Sequence, residues 1–457
     1  MPMATKRIIL LLDGTWNDED IGPYDTNIVR LQTIIAEAVG SPASSPPSPR
    51  GPASSTDAKL VKGFTSDGQE NIVYYERGVG TSAHDRFRGG AFGDGLALKV
   101  RRAYKFLSFH FTPGDSVFIF GFSRGAYTAR SLVGYLGAAG LLKREHCTDK
   151  LEPLAWGYYR TDPNDRLPGT WCELKQYTHD QEKFSVDCIG VFDTVGALGV
   201  PLDPFFLANR DRFAFHNVDL SSITKVNLHA VAIDEHRKPF EATVWRKPRF
   251  KSYESFTEQV WFSGAHGDIG GGYIPEELRA ADYPQALDDI SLDWMLRRLK
   301  YHFKDFPCEV GGLKSVTKDW SLARQHEPRK SYYKIYPEAL RAISNYPLGS
   351  LPRRQVEVSR DRHAEPIGEM VHISAIERLG QTIQIDTQKW IYSPRNLTAV
   401  LPQIIGTYAA QTEGTSVAHD IRIVDWSGDP LAPRTSKDCE IALTALKAAK
   451  ERLKFPV

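Results

Sequence analysis

The chain is poor in cysteine, in long apolar runs and in charge of one sign. Its five cysteines, Cys147, Cys172, Cys188, Cys308 and Cys439, are odd in number, widely spaced and without a C-x-x-C pair. That pattern fits neither a disulfide framework nor a zinc site, and free thiols in a reducing compartment are expected. No stretch approaches the roughly 18 apolar residues of a membrane-spanning helix. The run Ile8-Ile9-Leu10-Leu11-Leu12 follows a basic start but ends at Asp13. It is too short for the core of a signal peptide. Lys and Arg number 57 against 56 Asp and Glu, a net charge of +1. Nothing electrostatic therefore points to nucleic acid or an anionic membrane surface. At 41% hydrophobic and 25% charged, the composition is that of an ordinary globular protein. A cytoplasmic protein is expected, with no cofactor, no metal and no nucleic-acid partner. The length allows two or three domains, or one enlarged α/β domain.

What is present is Gly121-Phe122-Ser123-Arg124-Gly125. It follows an apolar strand, Ser116 to Phe120, and opens a helix-like run, Ala126 to Val133. The pentapeptide alone is a weak signal. Between a strand and a helix it reads as the nucleophile elbow of α/β-hydrolases. The tight turn leaves no room for side chains two residues either side of the serine. The helix start beyond it favours developing negative charge.

Five other segments read as strands: 8–12, 72–75, 186–192, 225–233 and 258–262. Strands interleaved with helices imply a mainly parallel sheet flanked by helices. Chemistry on such sheets gathers at the carboxyl ends of the strands. There stand Asp13, Ser123, Asp193, Asp234 and His266. A serine nucleophile needs a base and an acid that orients it, in the chain order Ser, Asp, His. The elbow lies on the third strand, Asp234 follows the fifth and His266 the sixth, so the register selects Ser123, Asp234 and His266, with Asp193 the alternative acid. His229 and His236 are rival bases: one lies within a strand, the other two residues past Asp234. The oxyanion hole is expected from the N–H of Arg124 and a second donor at Gly14 or Thr15. Asp13 either bonds its own turn or joins Asp193 or Asp268 in a cation site. Arg124 either steers an anionic head group or makes a salt bridge on the helix face.

These motifs resemble the uncharacterised α/β-hydrolase family that includes the catalytic domain of type VI secretion phospholipase effectors. The matching stretches include Asp13-Gly14-Thr15-Trp16-Asn17, Thr26-Asn27-Ile28, Gly78-Val79-Gly80-Thr81 and the pentapeptide at Ser123. Others are Phe192-Asp193-Thr194-Val195, Asp234-Glu235-His236-Arg237 and His266 through Tyr273. The resemblance implies a Ser–Asp–His triad, falling on Ser123, Asp234 and His266, and cleavage of phospholipid acyl esters.

The expected organisation is a hydrolase core over 1–275 and a mostly helical extension over 276–457 packed on it. Within the core, 41–70 reads as a mobile Pro/Ser-rich insertion and 141–183 as a lid or side layer. Aromatics there and beyond (Trp156, Tyr159, Trp171, Trp390) either wall an acyl pocket or glue added helices to the sheet. The leading function is a serine esterase or lipase acting on a small acyl ester or a lipid, with transient membrane contact left open. The competing readings are a non-catalytic binding protein on a hydrolase fold and a metal-assisted phosphoesterase built on Asp13, Asp193, His266 and Asp268.

Overall fold

All six apolar runs form strands, as their composition requires. The structure, a computed structural model, describes residues 5–14, 25–40, 58–78, 89–180, 183–195, 220–246, 255–273, 285–308, 316–330, 333–334, 338–344, 367–409, 421–433 and 435–453. The chain divides into two compact units. The first comprises Met1–Asp18, Ile28–Asn227 and Pro248–Phe256; the second comprises Glu19–Asn27, Leu228–Lys247 and Thr257–Val457. This division does not follow the expected boundary at 275.

The first unit holds β1 (Arg7–Leu12), α1 (Asn27–Ala38) from Ile28 onward, β2 (Ala58–Phe64), β3 (Glu70–Glu76) and α2 (Gly89–His110). It continues with β4 (Ser116–Phe122), α3 (Arg124–Ala139), α4 (Leu151–Arg160), α5 (Pro168–Lys175) and β5 (Val186–Phe192). Its strand order is β2-β3-β1-β4-β5. The β3–β1, β1–β4 and β4–β5 pairs are parallel, and β2 is antiparallel to β3. Every residue of β1 is buried, as expected of a central parallel strand covered on both faces. Strand β2 lies inside the segment expected to be a mobile insertion. The stretch 41–57 lies outside the described residues, but 58–64 is an edge strand. Its apolar residues, Leu60, Val61 and Phe64, are too sparse to stand out beside the Pro/Ser tract. In α4, Trp156 and Tyr159 pack on Tyr135 of α3 with ring centroids 5.2 and 5.3 Å apart. These two aromatics therefore glue a side layer of helices together.

The chain leaves the first unit within β6 (Thr224–Ala232), between Asn227 and Leu228. The second unit continues with β7 (Phe256–Phe262), α6 (His266–Gly270), α7 (Leu287–His302), β8 (Glu369–His372) and α8 (Ile373–Arg378). Then come the hairpin β9 (Thr382–Ile385) and β10 (Gln388–Ile391), α9 (Arg395–Ala409), β11 (Arg422–Val424) and α10 (Ser436–Leu453). The strand order here is β6-β7-β8-β11, with β7–β8 and β8–β11 parallel. The C-terminal region thus supplies sheet strands as well as helices. At four and three residues, β8 and β11 are too short to show a period in sequence. Helices α8, α9 and α10 close over them with Ile376, Leu397, Ile404 and Leu446 in one apolar cluster. Among the described residues no helix is long and apolar enough to cross a membrane.

Candidate active site

Strand β4 ends at Phe122 and α3 begins at Arg124, so Ser123 is the whole turn between them. Its backbone sits at φ 58° and ψ −122°, a conformation that costs a non-glycine residue free energy. Glycine is demanded on both sides. A Cβ on Gly121 would lie 2.6 Å from the Gly125 carbonyl oxygen, and one on Gly125 would overlap the Leu12 carbonyl. The local sequence therefore builds the elbow because no larger residue fits it. Gly125→Ala is expected to cost about 1–3 kcal/mol of stability, the usual range for overpacking. A Cβ on Gly157, in the middle of α4, meets nothing within 4 Å. Gly157→Ala should instead stabilise by roughly 0.5–1 kcal/mol. Thermal denaturation of the two variants checks this; equal midpoints would refute the packing argument.

Ser123 is 1% exposed, and its Oγ has no hydrogen-bond partner among the described residues. Arg124 opens α3, so its N–H faces back toward the strand end, where a helix favours negative charge. Gly14 lies against the nucleophile: a Cβ there would stand 3.2 Å from Ser123 Cβ. Its N–H, expected as an oxyanion donor, donates to Asp13 Oδ1 at 2.7 Å. Through Oδ1 Asp13 thus bonds its own turn, while its Oδ2 accepts from the Tyr75 O–H on β3 at 2.9 Å. Thr15 lies outside the described residues.

Beside Ser123, at the end of β5, is Asp193. The Ser123 N–H donates to the Phe192 carbonyl at 3.1 Å, and Phe122 is in register with Phe192. Asp193 is fully buried and adopts φ 40°. Two of the four described non-glycine residues with positive φ thus stand at the ends of neighbouring strands. Strain of this kind gathers at functional sites.

In the second unit, β6 ends before Asp234 and β7 before the turn that carries His266. Asp234 Oδ2 accepts from the Gly264 N–H at 2.7 Å and from Tyr392 O–H at 2.9 Å. Burial raises the Asp234 carboxyl above its ordinary range. For Glu235, burial alone would do the same, but the Arg237 guanidinium, bonded at 2.9 and 2.8 Å, holds the carboxyl below the usual value. Glu235 Oε2 accepts from the His266 N–H at 3.3 Å, and Phe240 packs edge-on against the His266 ring at 5.1 Å. The far end of α6 is tied by Asn27, whose side-chain amide donates to the carbonyls of Ile269 and Asp288. The rival bases are engaged elsewhere. His229 Nδ1 meets Gln259 Oε1 at 3.2 Å, and His236 Nδ1 meets Glu338 at 2.9 Å.

Sequence reasoning did not find Tyr392, Glu235 as a backbone acceptor, or His326, whose Nδ1 lies 2.6 Å from Asp268 Oδ1. Only the Asp234-Glu235-His236-Arg237 motif carried a signal for any of them. Among the described residues, no group of three or more His, Cys, Asp or Glu side chains is arranged to hold a metal.

The sequence profile described as "T6SS, Phospholipase effector Tle1-like, catalytic domain" matches residues 6–298. An uncharacterized protein of Saccharomyces cerevisiae, YEL023C, is 29% identical over 245 residues. That match covers 52% of this chain and 32% of the yeast protein, so the chain spans about a third of the relative's length. Among solved structures, an uncharacterized protein from Pseudomonas aeruginosa is 17% identical at a TM-score of 0.36, covering 69% of this chain and 48% of its own. The Tle1 effector bound to the VgrG spike of the type VI secretion system is 21% identical at a TM-score of 0.29, covering 60% and 52%.

Proposed function

Because the chain belongs to the Tle1-like catalytic-domain family of type VI secretion phospholipase effectors, we propose that it hydrolyses carboxylic esters of lipids through an acyl-enzyme on Ser123. The observation that carries this reading is the strained Ser123 turn between β4 and α3, with its hydroxyl buried and without a hydrogen-bond partner among the described residues. Ser123 Oγ attacks the ester carbonyl carbon and His266 takes the hydroxyl proton. The oxyanion is met by the Arg124 N–H, a donor of the kind worth roughly 3 kcal/mol in the transition state. Collapse expels the alcohol, which receives the proton from His266. Water, activated by His266, then releases the fatty acid and restores Ser123. A second oxyanion donor at Gly14 requires its N–H to turn away from Asp13 Oδ1; Thr15 is the other candidate.

For the acid we favour Asp193, with Asp234 the alternative. Asp234 Oδ2 already serves Gly264 and Tyr392, which suits a carboxylate that holds a turn. Asp193 has the burial, the strain and the place beside the nucleophile. Asp13 and Asp268, which a metal-assisted phosphoesterase would need as ligands, have both carboxylate oxygens bonded to protein donors.

A fluorophosphonate probe tests the nucleophile: one equivalent should bind covalently, at Ser123. An ester series from acetate to palmitate tests the substrate class. kcat/KM should rise over the first several methylenes, each buried methylene adding roughly 0.8 kcal/mol. A flat profile, or activity on phosphate esters alone, would overturn the acyl reading.

A further inference from the structure

Three consecutive backbone N–H groups lead into the His266 turn, and each donates to a different buried carboxylate. Gly264 donates to Asp234 at 2.7 Å, Ala265 to Asp268 Oδ2 at 2.9 Å, and His266 to Glu235 at 3.3 Å. Each carboxylate has its own side-chain partner. Tyr392 holds Asp234, Arg237 holds Glu235, and His326 holds Asp268. The first two partners lie in or beside the strand-end motif and its covering helices. His326 comes from a separate segment and has no part in the chemistry above.

We propose that His326 is a positioning residue which, acting through Asp268, fixes the Ala265–His266 peptide and so aims the His266 imidazole. The inference rests on the hydrolase reading, in which His266 is the base. Asp268 Oδ2 alone receives two backbone donors, Ala265 at 2.9 Å and His326 at 3.1 Å. A carboxylate held by one oxygen still swings about its terminal torsion, which has no sharp rotamer. The His326 Nδ1–H on Oδ1, at 2.6 Å, removes that freedom. The acceptor is a carboxylate, so Nδ1 is the ring nitrogen that carries the proton.

Packing reinforces the same contact. The Tyr273 ring lies 4.4 Å from the His326 ring, centroid to centroid. Tyr273 also covers Gly267, the neighbour of His266: a Cβ there would come within 2.5 Å of the Tyr273 ring. On the other side, Gly264 stands at φ +118°, where a Cβ would meet Asp268 Cβ at 2.5 Å. No larger residue at 264 or 267 leaves this arrangement intact.

His326 is itself delivered by a rigid support. The fully buried Arg378 guanidinium donates to the carbonyls of Ser321 and Ala323 at 2.5 and 2.9 Å, and to Gln325 Oε1 at 3.2 Å. The Gln325 N–H donates to Gln384 O, and the Asp386 N–H to Gln325 O, both at 2.9 Å. The residue before His326 is thus stitched to the β9–β10 hairpin.

The test compares His326→Asn with His326→Gln in the full chain. The Asn amide places an N–H where Nδ1 stands; the Gln amide places it at Nε2. The H326Q variant should lose roughly 10- to 100-fold in kcat, the scale of a sub-ångström to 1 Å misplacement of a reacting group. KM should change less than about twofold, and fluorophosphonate labelling of Ser123 should slow in step with kcat. The H326N variant should keep most of the wild-type rate. Rates are taken per labelled Ser123, so partial unfolding cannot imitate the effect. Equal kcat for H326Q and wild type, or equal loss in H326N and H326Q, overturns the proposal. Wild-type protein that takes up no probe sinks the hydrolase reading and this inference together. Probe uptake at one rate by wild type and H326Q sinks the inference alone.

Discussion

Replacing Ser123 by alanine is expected to abolish ester hydrolysis and leave the fold intact. The Oγ makes no hydrogen bond among the described residues, so its deletion breaks none of their hydrogen bonds. The turn's φ of 58° is as costly for alanine as for serine, so the strain stays the same. What disappears is the covalent step. Loss of a nucleophile that works as a unit with its base commonly costs about 10⁶-fold in kcat. The measurement is turnover of a short-chain ester beside a thermal midpoint within a few degrees of wild type. Near-wild-type turnover by a folded S123A protein would end the serine mechanism.

The second large effect separates the two acids. Asp193→Asn should lower kcat about 10⁴-fold, as when the group that orients a catalytic imidazole loses its charge. Asp193 is at least as enclosed as Asp234, so the variant's thermal midpoint should fall as well, and the rate is the discriminating readout. Asp234→Asn should act differently. The amide oxygen can still accept from the Gly264 N–H and Tyr392 O–H that Asp234 now serves at 2.7 and 2.9 Å. The amide nitrogen, however, brings two new donors into a fully enclosed place, and unsatisfied buried groups cost about 1–3 kcal/mol each. D234N should therefore lose stability and only about tenfold in rate, through a loosened His266 turn. Paired kcat measurements decide. The reverse ranking, with D234N nearly dead and D193N nearly normal, assigns the acid to Asp234.

The six main strands were legible because their signal is local. A run such as Ile8 to Leu12 is apolar throughout, and burial on both faces of a parallel strand demands that. The Ser123 turn was legible for the same reason: strand, two glycines and helix all fall within neighbouring residues. Strand β2 was hidden beside a Pro/Ser tract, and β8 and β11 were too short for a period to emerge. The hydrogen-bond partners of Asp234 were not legible at all. Its position after the fifth strand carries no information about Tyr392, 158 residues away. Likewise His326 meets Asp268 across 58 residues, through a segment with no motif of its own.

The amino-acid sequence by itself determined the α/β class, the strand runs and the turn that strains Ser123. Backbone sterics and apolar periodicity act over a few residues, and those are written in the chain directly. The tertiary structure alone decided which carboxylate holds which backbone N–H around His266. Hydrogen bonds between distant side chains depend on distances of a few ångströms, and only packing sets those.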